Sequence, residues 1–293
     1  MHKMSNVLVA LAILAGMAAA PAFAQGPPSY TPEQLDRLAA PAALYPDPLL
    51  AQVLAAATYP NDIAAAAEWA DRHHYLTGQA LANAIAADRL PWDPSLQALL
   101  PFPSVLDMMD GGMNWTTNLG NAFLVQQQDV MDAVQRQRAL AQRYGYLRSN
   151  GQIVVSDGPY ITIMPVNPGF IVVPSYDAAM VFLAPPRGFK VGGAIRFGYG
   201  VTIGGFFAPW GWGTGGIRFD WGGHAVFLND ARWGRTWANR AVYTHPYPAV
   251  QRPAPGSARA PEAHALVPRS DAERFAPRQG KAMPHETHKE PRR

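Results

Sequence analysis

Cysteine is absent from all 293 residues. Disulfides and a cysteine lipid anchor are therefore excluded, and the fold must be held by its core. Charge is scarce, with 15% Asp, Glu, Lys and Arg and a formal net of +3. A net charge this small marks no nucleic-acid partner, and none is expected. Long hydrophobic runs are missing beyond the N-terminus, so no membrane span is expected in the mature chain. No glycine-rich nucleotide loop joins a strand to a helix, and no serine elbow occurs. His285-Glu286-Thr287-His288 has one residue too few after its glutamate for the helical zinc motif. His73 and His74 are adjacent, so on a helix they point about 100° apart and cannot share an ion. Neither a catalytic constellation, a metal site nor a cofactor is expected.

What is present begins with Lys3, an uncharged apolar run from Val7 to Ala20, and Ala22-Phe23-Ala24. This is the pattern of a cleavable secretory signal over residues 1–24. The mature chain is expected to start at Gln25 and to work in the periplasm or at the cell surface. Its charge is uneven. Residues 25–150 hold 7 basic and 12 acidic side chains, 151–250 hold 7 and 4, and 251–293 hold 9 and 5.

Residues 30–150 read as an all-α domain of several helices. Thr31-Pro32 with Gln34 forms a capping box with proline in the first turn. Asp47-Pro48 and Asp93-Pro94 repeat the cap-then-proline order, Asn61-Asp62 and Asn114 offer further caps, and alanine-rich stretches follow. From Trp115 to Tyr144 no proline intervenes, and Trp115, Leu119, Phe123, Val130, Val134 and Ala141 recur at helical spacing. One long helix is expected here, with Asp132 and Arg136 paired one turn apart. Gln126 and Gln137 interrupt its apolar face. Asp47, Asp62 and Asp93 are the candidate acid–base carboxylates, but capping accounts for Asp47 and Asp93 without chemistry. Glu68 reads as a solvated helix residue.

The run from Leu38 to Tyr59, with Ala40-Pro41-Ala42-Ala43-Leu44-Tyr45-Pro46-Asp47-Pro48-Leu49-Leu50, resembles the signature of an exported bacterial family, domain of unknown function 3300. Trp92-Asp93-Pro94-Ser95, Phe102-Pro103-Ser104-Val105-Leu106 and Asp129-Val130-Met131-Asp132-Ala133-Val134-Gln135 are similar to it as well. The resemblance covers about residues 31–185. It implies a signal, a helical conserved part and a glycine-aromatic part, and it carries over no catalytic residue.

After Gly145 the period shifts to that of strands. Ile153-Val154-Val155, Tyr160 to Met164 and Phe170 to Val173 suggest a small antiparallel meander over 151–185. Asn167-Pro168-Gly169 is placed for a type II turn. Residues 186–245 form a glycine- and aromatic-rich β segment. Within it, Gly193-Ala194-Ile195-Arg196-Phe197-Gly198-Tyr199-Gly200 is echoed by Gly215-Gly216-Ile217-Arg218-Phe219-Asp220-Trp221-Gly222, which suggests a strand pair or strands seeking a partner. Residues 246–293, rich in Pro, Arg and His, are expected to be a disordered basic tail.

The whole is an α+β chain. Five of its eight tryptophans fall between Trp210 and Trp237. They either fill a core that glycines leave open or stack on sugars. Tyr199, Trp210, Trp212, Trp221, Arg196 and Arg218 are the candidate binding residues, and self-association through 193–222 is a further possibility for the exposed strand. The reading is an uncharacterised, non-enzymatic envelope module that binds a protein or glycan. The alternative is a glycan- or peptidoglycan-acting hydrolase using acidic residues of the helical domain.

Overall fold

Proline opens five helices. Pro32, Pro48, Pro60, Pro94 and Pro103 stand in first turns, where the missing N–H costs no hydrogen bond. In the computed structural model, which describes residues 26–189, 191–198 and 200–247, the helices are α1 (Pro32–Ala39), α2 (Asp47–Ala57), α3 (Pro60–Arg72), α4 (Gly78–Asp88), α5 (Pro94–Gln97), α6 (Pro103–Gly111), α7 (Met113–Val125) and α8 (Gln127–Arg143). The Thr31 capping box is formed as expected, and Asp93 caps α5 through Ser95 N–H. Neither α3 nor α7 has a side-chain cap. The signal segment, Tyr199, His285, His288 and the tail from 248 onward lie outside the described residues.

The expected long helix is two. Gln126 leaves helical geometry at φ −137°, ψ 46°. Its amide accepts from Tyr30 N–H at 2.8 Å and donates to the Tyr30 carbonyl at 3.1 Å. The polar residue that interrupts the apolar face therefore turns the chain while satisfying backbone groups of a distant segment. The face itself is correct, since Leu119, Phe123, Val130, Val134 and Ala141 are buried. Asp132 and Arg136 do not pair with each other. Arg136 bonds Asp36, and Asp132 bonds His224.

The strands are β1 (Ile153–Val155), β2 (Ile163–Pro165), β3 (Phe170–Ile171) and β4 (Pro174–Tyr176), then the single turn α9 (Ala178–Val181), β5 (Ile195–Phe197), β6 (Val201–Thr202), a 3-10 turn (Gly205–Trp210), β7 (Arg218–Asp220), β8 (Ala225–Leu228) and β9 (Ala231–Arg232). The α+β class is as read from the sequence, but the three-stranded meander is not formed. β1 and β2 make a hairpin, while β3 pairs with β6 and β4 with β5. Nor do the two glycine-aromatic repeats pair with each other, because β7 pairs with β8, which in turn pairs with β9. The turn before β3 is closed by Phe170 N–H on the Asn167 carbonyl. Gly169 is bonded to the Asn167 side chain and lacks the positive φ of a type II turn.

Residues 170–176 and 195–202 thus form one antiparallel ribbon with a step in it. Ile171 faces Val201 and Pro174 faces Phe197, so the two pairings follow one another along the same two arms.

The β1–β2 hairpin has both flanks closed. On the β1 side, Ile153 N–H donates to Asn150 Oδ1 and Val155 N–H to Ser149 Oγ. On the β2 side, Ile163 N–H donates to Asp47 Oδ1, and Pro165 has no N–H to offer.

Helices and sheets share one continuous core, from Leu35 in α1 to Trp233 after β9. Its tightest point is Gly120. A Cβ there would lie 1.9 Å from the Ala57 carbonyl oxygen at the end of α2, and backbone cannot rotate away. A Cβ on Gly111 would meet nothing within 4 Å. Gly120→Ala should therefore destabilise by at least 2–3 kcal/mol, roughly the scale of an overpacked core. Gly111→Ala should gain up to about 1 kcal/mol from reduced unfolded-state entropy. Urea melts of the two single variants read both effects, and equal midpoints would contradict this packing.

Candidate functional site

Arg138 stands on the buried stripe of α8, four residues after Val134 and three before Ala141. It is fully buried, and Asp47 is 3% exposed. Its Nη1 donates to Asp47 Oδ1 at 2.6 Å and to the Ile161 carbonyl at 2.8 Å. Nε reaches the Ala43 carbonyl at 2.8 Å and Nη2 the Tyr45 carbonyl at 3.1 Å. Asp47 also accepts from Trp221 Nε1 at 3.1 Å and from Ile163 N–H. The Trp221 ring lies 5.0 Å from the guanidinium carbon. Asp47 is therefore not a helix cap. α2 is entered from Pro46, and the carboxylate turns inward to neutralise a buried cation. An arginine in register with an apolar stripe was the available sequence signal.

The tryptophans proposed for binding are interior. Trp210, Trp212 and Trp221 are each at most 5% exposed, as is Trp233, which was not among the candidates. Trp212 Nε1 donates to the Ala98 carbonyl at 2.9 Å, and Trp210 Nε1 to Gln97 Oε1 at 3.1 Å. Their rings are spent on the core and on tying the glycine-rich segment to the helices, so they offer a ligand no free face. Arg196 and Arg218 are exposed. Arg218 pairs with Asp230 and covers the Phe227 ring. Among the described residues these candidates do not converge on one site: Trp210 and Trp212 bond Gln97 and Ala98, Trp221 bonds Asp47, and Arg218 bonds Asp230. Ile203 is buried, and Ile195, Phe197 and Val201 pack against the core, so the chain itself covers much of the first repeat's apolar face.

Two adjoining clefts of about 500 Å³ each flank the ribbon, within the range of ordinary ligand sites. The first lies between β4 and the start of α6, walled by Tyr45, Phe102, Met108 and Tyr176. Tyr176 accepts from Leu44 N–H and donates to the Ala40 carbonyl, which fixes that wall. Burial pushes the Tyr45 phenol up to about 12 and Tyr176 further, so both stay protonated. The second cleft lies between β6 and the α3–α4 connection, where His73 stacks on Trp69 at 3.9 Å. Pro103 and Val201 border both clefts. Among the described lining residues no Asp, Glu, Lys or Arg occurs.

A third group gathers around Asp93. Arg235 sits 3.7 Å over the Tyr59 ring and donates to the carbonyl and hydroxyl of Thr58. Asp93 accepts from the hydroxyl and N–H of buried Ser95. Burial first, and then the Asp93 charge, push the Tyr59 and Tyr247 phenols up. Burial pushes His245 down from its usual value near 6.5. A carbonyl can only accept, so Nε2 carries the hydrogen donated to Leu228 at 2.7 Å, and Nδ1 accepts from the Tyr243 hydroxyl at 2.9 Å.

These features define a chain with a helical part and small antiparallel sheets joined over a buried ion pair. The family model described as "Protein of unknown function (DUF3300)" matches residues 31–228, and the chain belongs to that family. Among its relatives is the Uncharacterized protein YacH of Escherichia coli (strain K12), 33% identical over 221 aligned residues, covering 60% of this chain and 36% of the relative. The chain thus spans about a third of that relative's length. No solved structure matches.

Two predictions follow from this geometry. Arg138→Ala leaves Asp47 buried without its cation, and should cost about 3–5 kcal/mol. Arg136→Ala removes only a solvent-facing pair with Asp36, and should cost less than about 1 kcal/mol. Chemical denaturation of the pair of variants checks the contrast. The second concerns pH. Well above pH 6.5 His245 is neutral whether folded or unfolded, and contributes no pH dependence. Below it the unfolded chain binds the proton first, so stability falls with pH until the depressed folded value is reached. Melting temperatures at pH 7.5, 6 and 5 should drop less steeply in His245→Gln than in the parent, and parallel slopes would show that His245 is not responsible.

Proposed function

We propose that this chain is exported through its N-terminal signal and acts in the cell envelope as a non-catalytic binding or assembly module. The observation that carries the reading is the pair of adjoining clefts, walled mainly by aromatic, proline, aliphatic and hydroxyl side chains with no Asp, Glu, Lys or Arg among the described lining residues. Clefts of this kind select neutral, partly apolar ligands. His73 and His74 border the second cleft, and the Nδ1 of each is tied to a backbone carbonyl of its own helix end, Trp69 and Asp71. The hydrolase reading needs a carboxylate free to move protons. Asp47 is held by Arg138, Trp221 and Ile163, and Asp93 by Ser95. Asp62 remains the helical-domain acid against which that alternative is tested.

The test is made on the tagged chain expressed in full. Mass spectrometry of the envelope fraction should find Gln25 at the N-terminus, and the retained protein should leave peptidoglycan fragments intact while recovering a partner from envelope extract. An intact Met1 terminus on that fraction would refute export. Fragment turnover abolished by Asp62→Asn would replace the binding module with a hydrolase.

A further inference from the structure

The second cleft has a property that its apolar lining alone does not convey. Gly200, Val201 and Thr202, three consecutive residues, all border it. Side chains of successive strand residues point to opposite faces. With no side chain on Gly200, backbone of this short segment is presented to the cleft beside the Val201 and Thr202 side chains. β6 is paired with β3 on its other side, and no strand pairs with this edge among the described residues. No described hydrogen bond joins 200–202 to the opposite wall either. An open edge of this kind is a template for another chain.

The surroundings fit an added strand. Gly200 carries no side chain because the Phe170 ring occupies that space, with a Cβ falling 2.3 Å from it. Beyond the edge, Leu81, Leu100 and Phe207 line the cleft and can take an apolar side chain. Thr77 and Thr202 are exposed at the rim. The hairpin of β1 and β2, by contrast, has its outward N–H groups met by Ser149, Asn150 and Asp47, with none on Pro165.

We propose that the cleft along β6 receives an extended, uncharged segment of another polypeptide, which adds as a third strand on Gly200–Thr202 and places one apolar side chain against Leu81, Leu100 and Phe207. This rests on the binding-module reading and names its ligand class. An acyl chain would fill the apolar part of the cleft but would leave the strand edge without partners. A strand satisfies both, since main-chain hydrogen bonds hold it and the pocket selects its side chain.

The test uses a fluorescent heptapeptide of alternating Val and Thr, acetylated and amidated so that it carries no charge, titrated against the full mature chain by anisotropy. Saturable binding is expected. N-methylation of alternate peptide nitrogens, which removes donors and keeps apolar surface, should weaken it by about tenfold or more. Thr202→Lys should weaken it by about as much while leaving the melting temperature unchanged, as a charged gatekeeper on an edge does. If Thr202→Lys misfolds, Thr77→Lys on the facing wall gives the same readout. Binding that tolerates both the N-methyl groups and the lysine would overturn strand addition and indicate apolar capture, leaving the binding-module reading in place. No saturable binding of the heptapeptide would overturn the strand-addition proposal. Failure of export, or hydrolysis of glycan, is read in separate assays and would remove the broader reading instead.

Discussion

A positive charge without water organises this molecule. Removing a guanidinium from solvent is among the more expensive steps a fold can take, and it is tolerated only when its donors and its charge are met inside. Arg138 makes four hydrogen bonds, to the Ala43 and Tyr45 carbonyls before α2, to the Ile161 carbonyl next to β2, and to the Asp47 carboxylate. These acceptors come from two distant stretches of chain, 43–47 and 161, whose positions are set relative to one another by the geometry of a single planar group. Asp47 extends the arrangement by holding Trp221 and the edge of β2. The helices, the hairpin and the glycine-rich segment are joined through these two side chains more specifically than apolar contact alone would join them.

Much of the helical part was legible in the sequence because its signals are local. A threonine, a proline and a glutamine within four residues define the start of α1, and the apolar stripe of α7 and α8 is a matter of spacing. What escaped was long-range. Asp47 reads as a cap by its neighbours and is a counter-ion by its distant partner. Gln126 reads as a blemish on a long helix and is its break, because Tyr30, 96 residues earlier, supplies the groups its amide needs. The third strand of the expected meander was assigned to its neighbour in sequence, whereas pairing with β6 carries it to the other arm of a ribbon.

The candidate site shows the same division. Tryptophans crowded among glycines are ambiguous in sequence, since both a core and a binding platform want flat rings near bare backbone. In the structure the glycines admit Trp210 and Trp212 to the interior, where their N–H groups find a side-chain amide and a carbonyl of the helical part. The clefts are built from residues unremarkable one by one, such as Pro103, Val201 and Leu81, and only the crossing of the ribbon over the start of α6 brings them together. No local pattern could have marked them.

The reach of the central ion pair bears on folding. Asp47 and Arg138 are 91 residues apart, and Trp221 closes on Asp47 across 174. Closing contacts of such separation costs chain entropy, which slows folding where they dominate. Asp47 takes one donor from α8, one from β2 and one from the segment after β7, so its carboxylate is fully engaged only when the whole stretch from residue 47 to 221 is in place. A chain truncated before β7 would lack Trp221, and would leave one carboxylate oxygen of a buried ion pair without that donor.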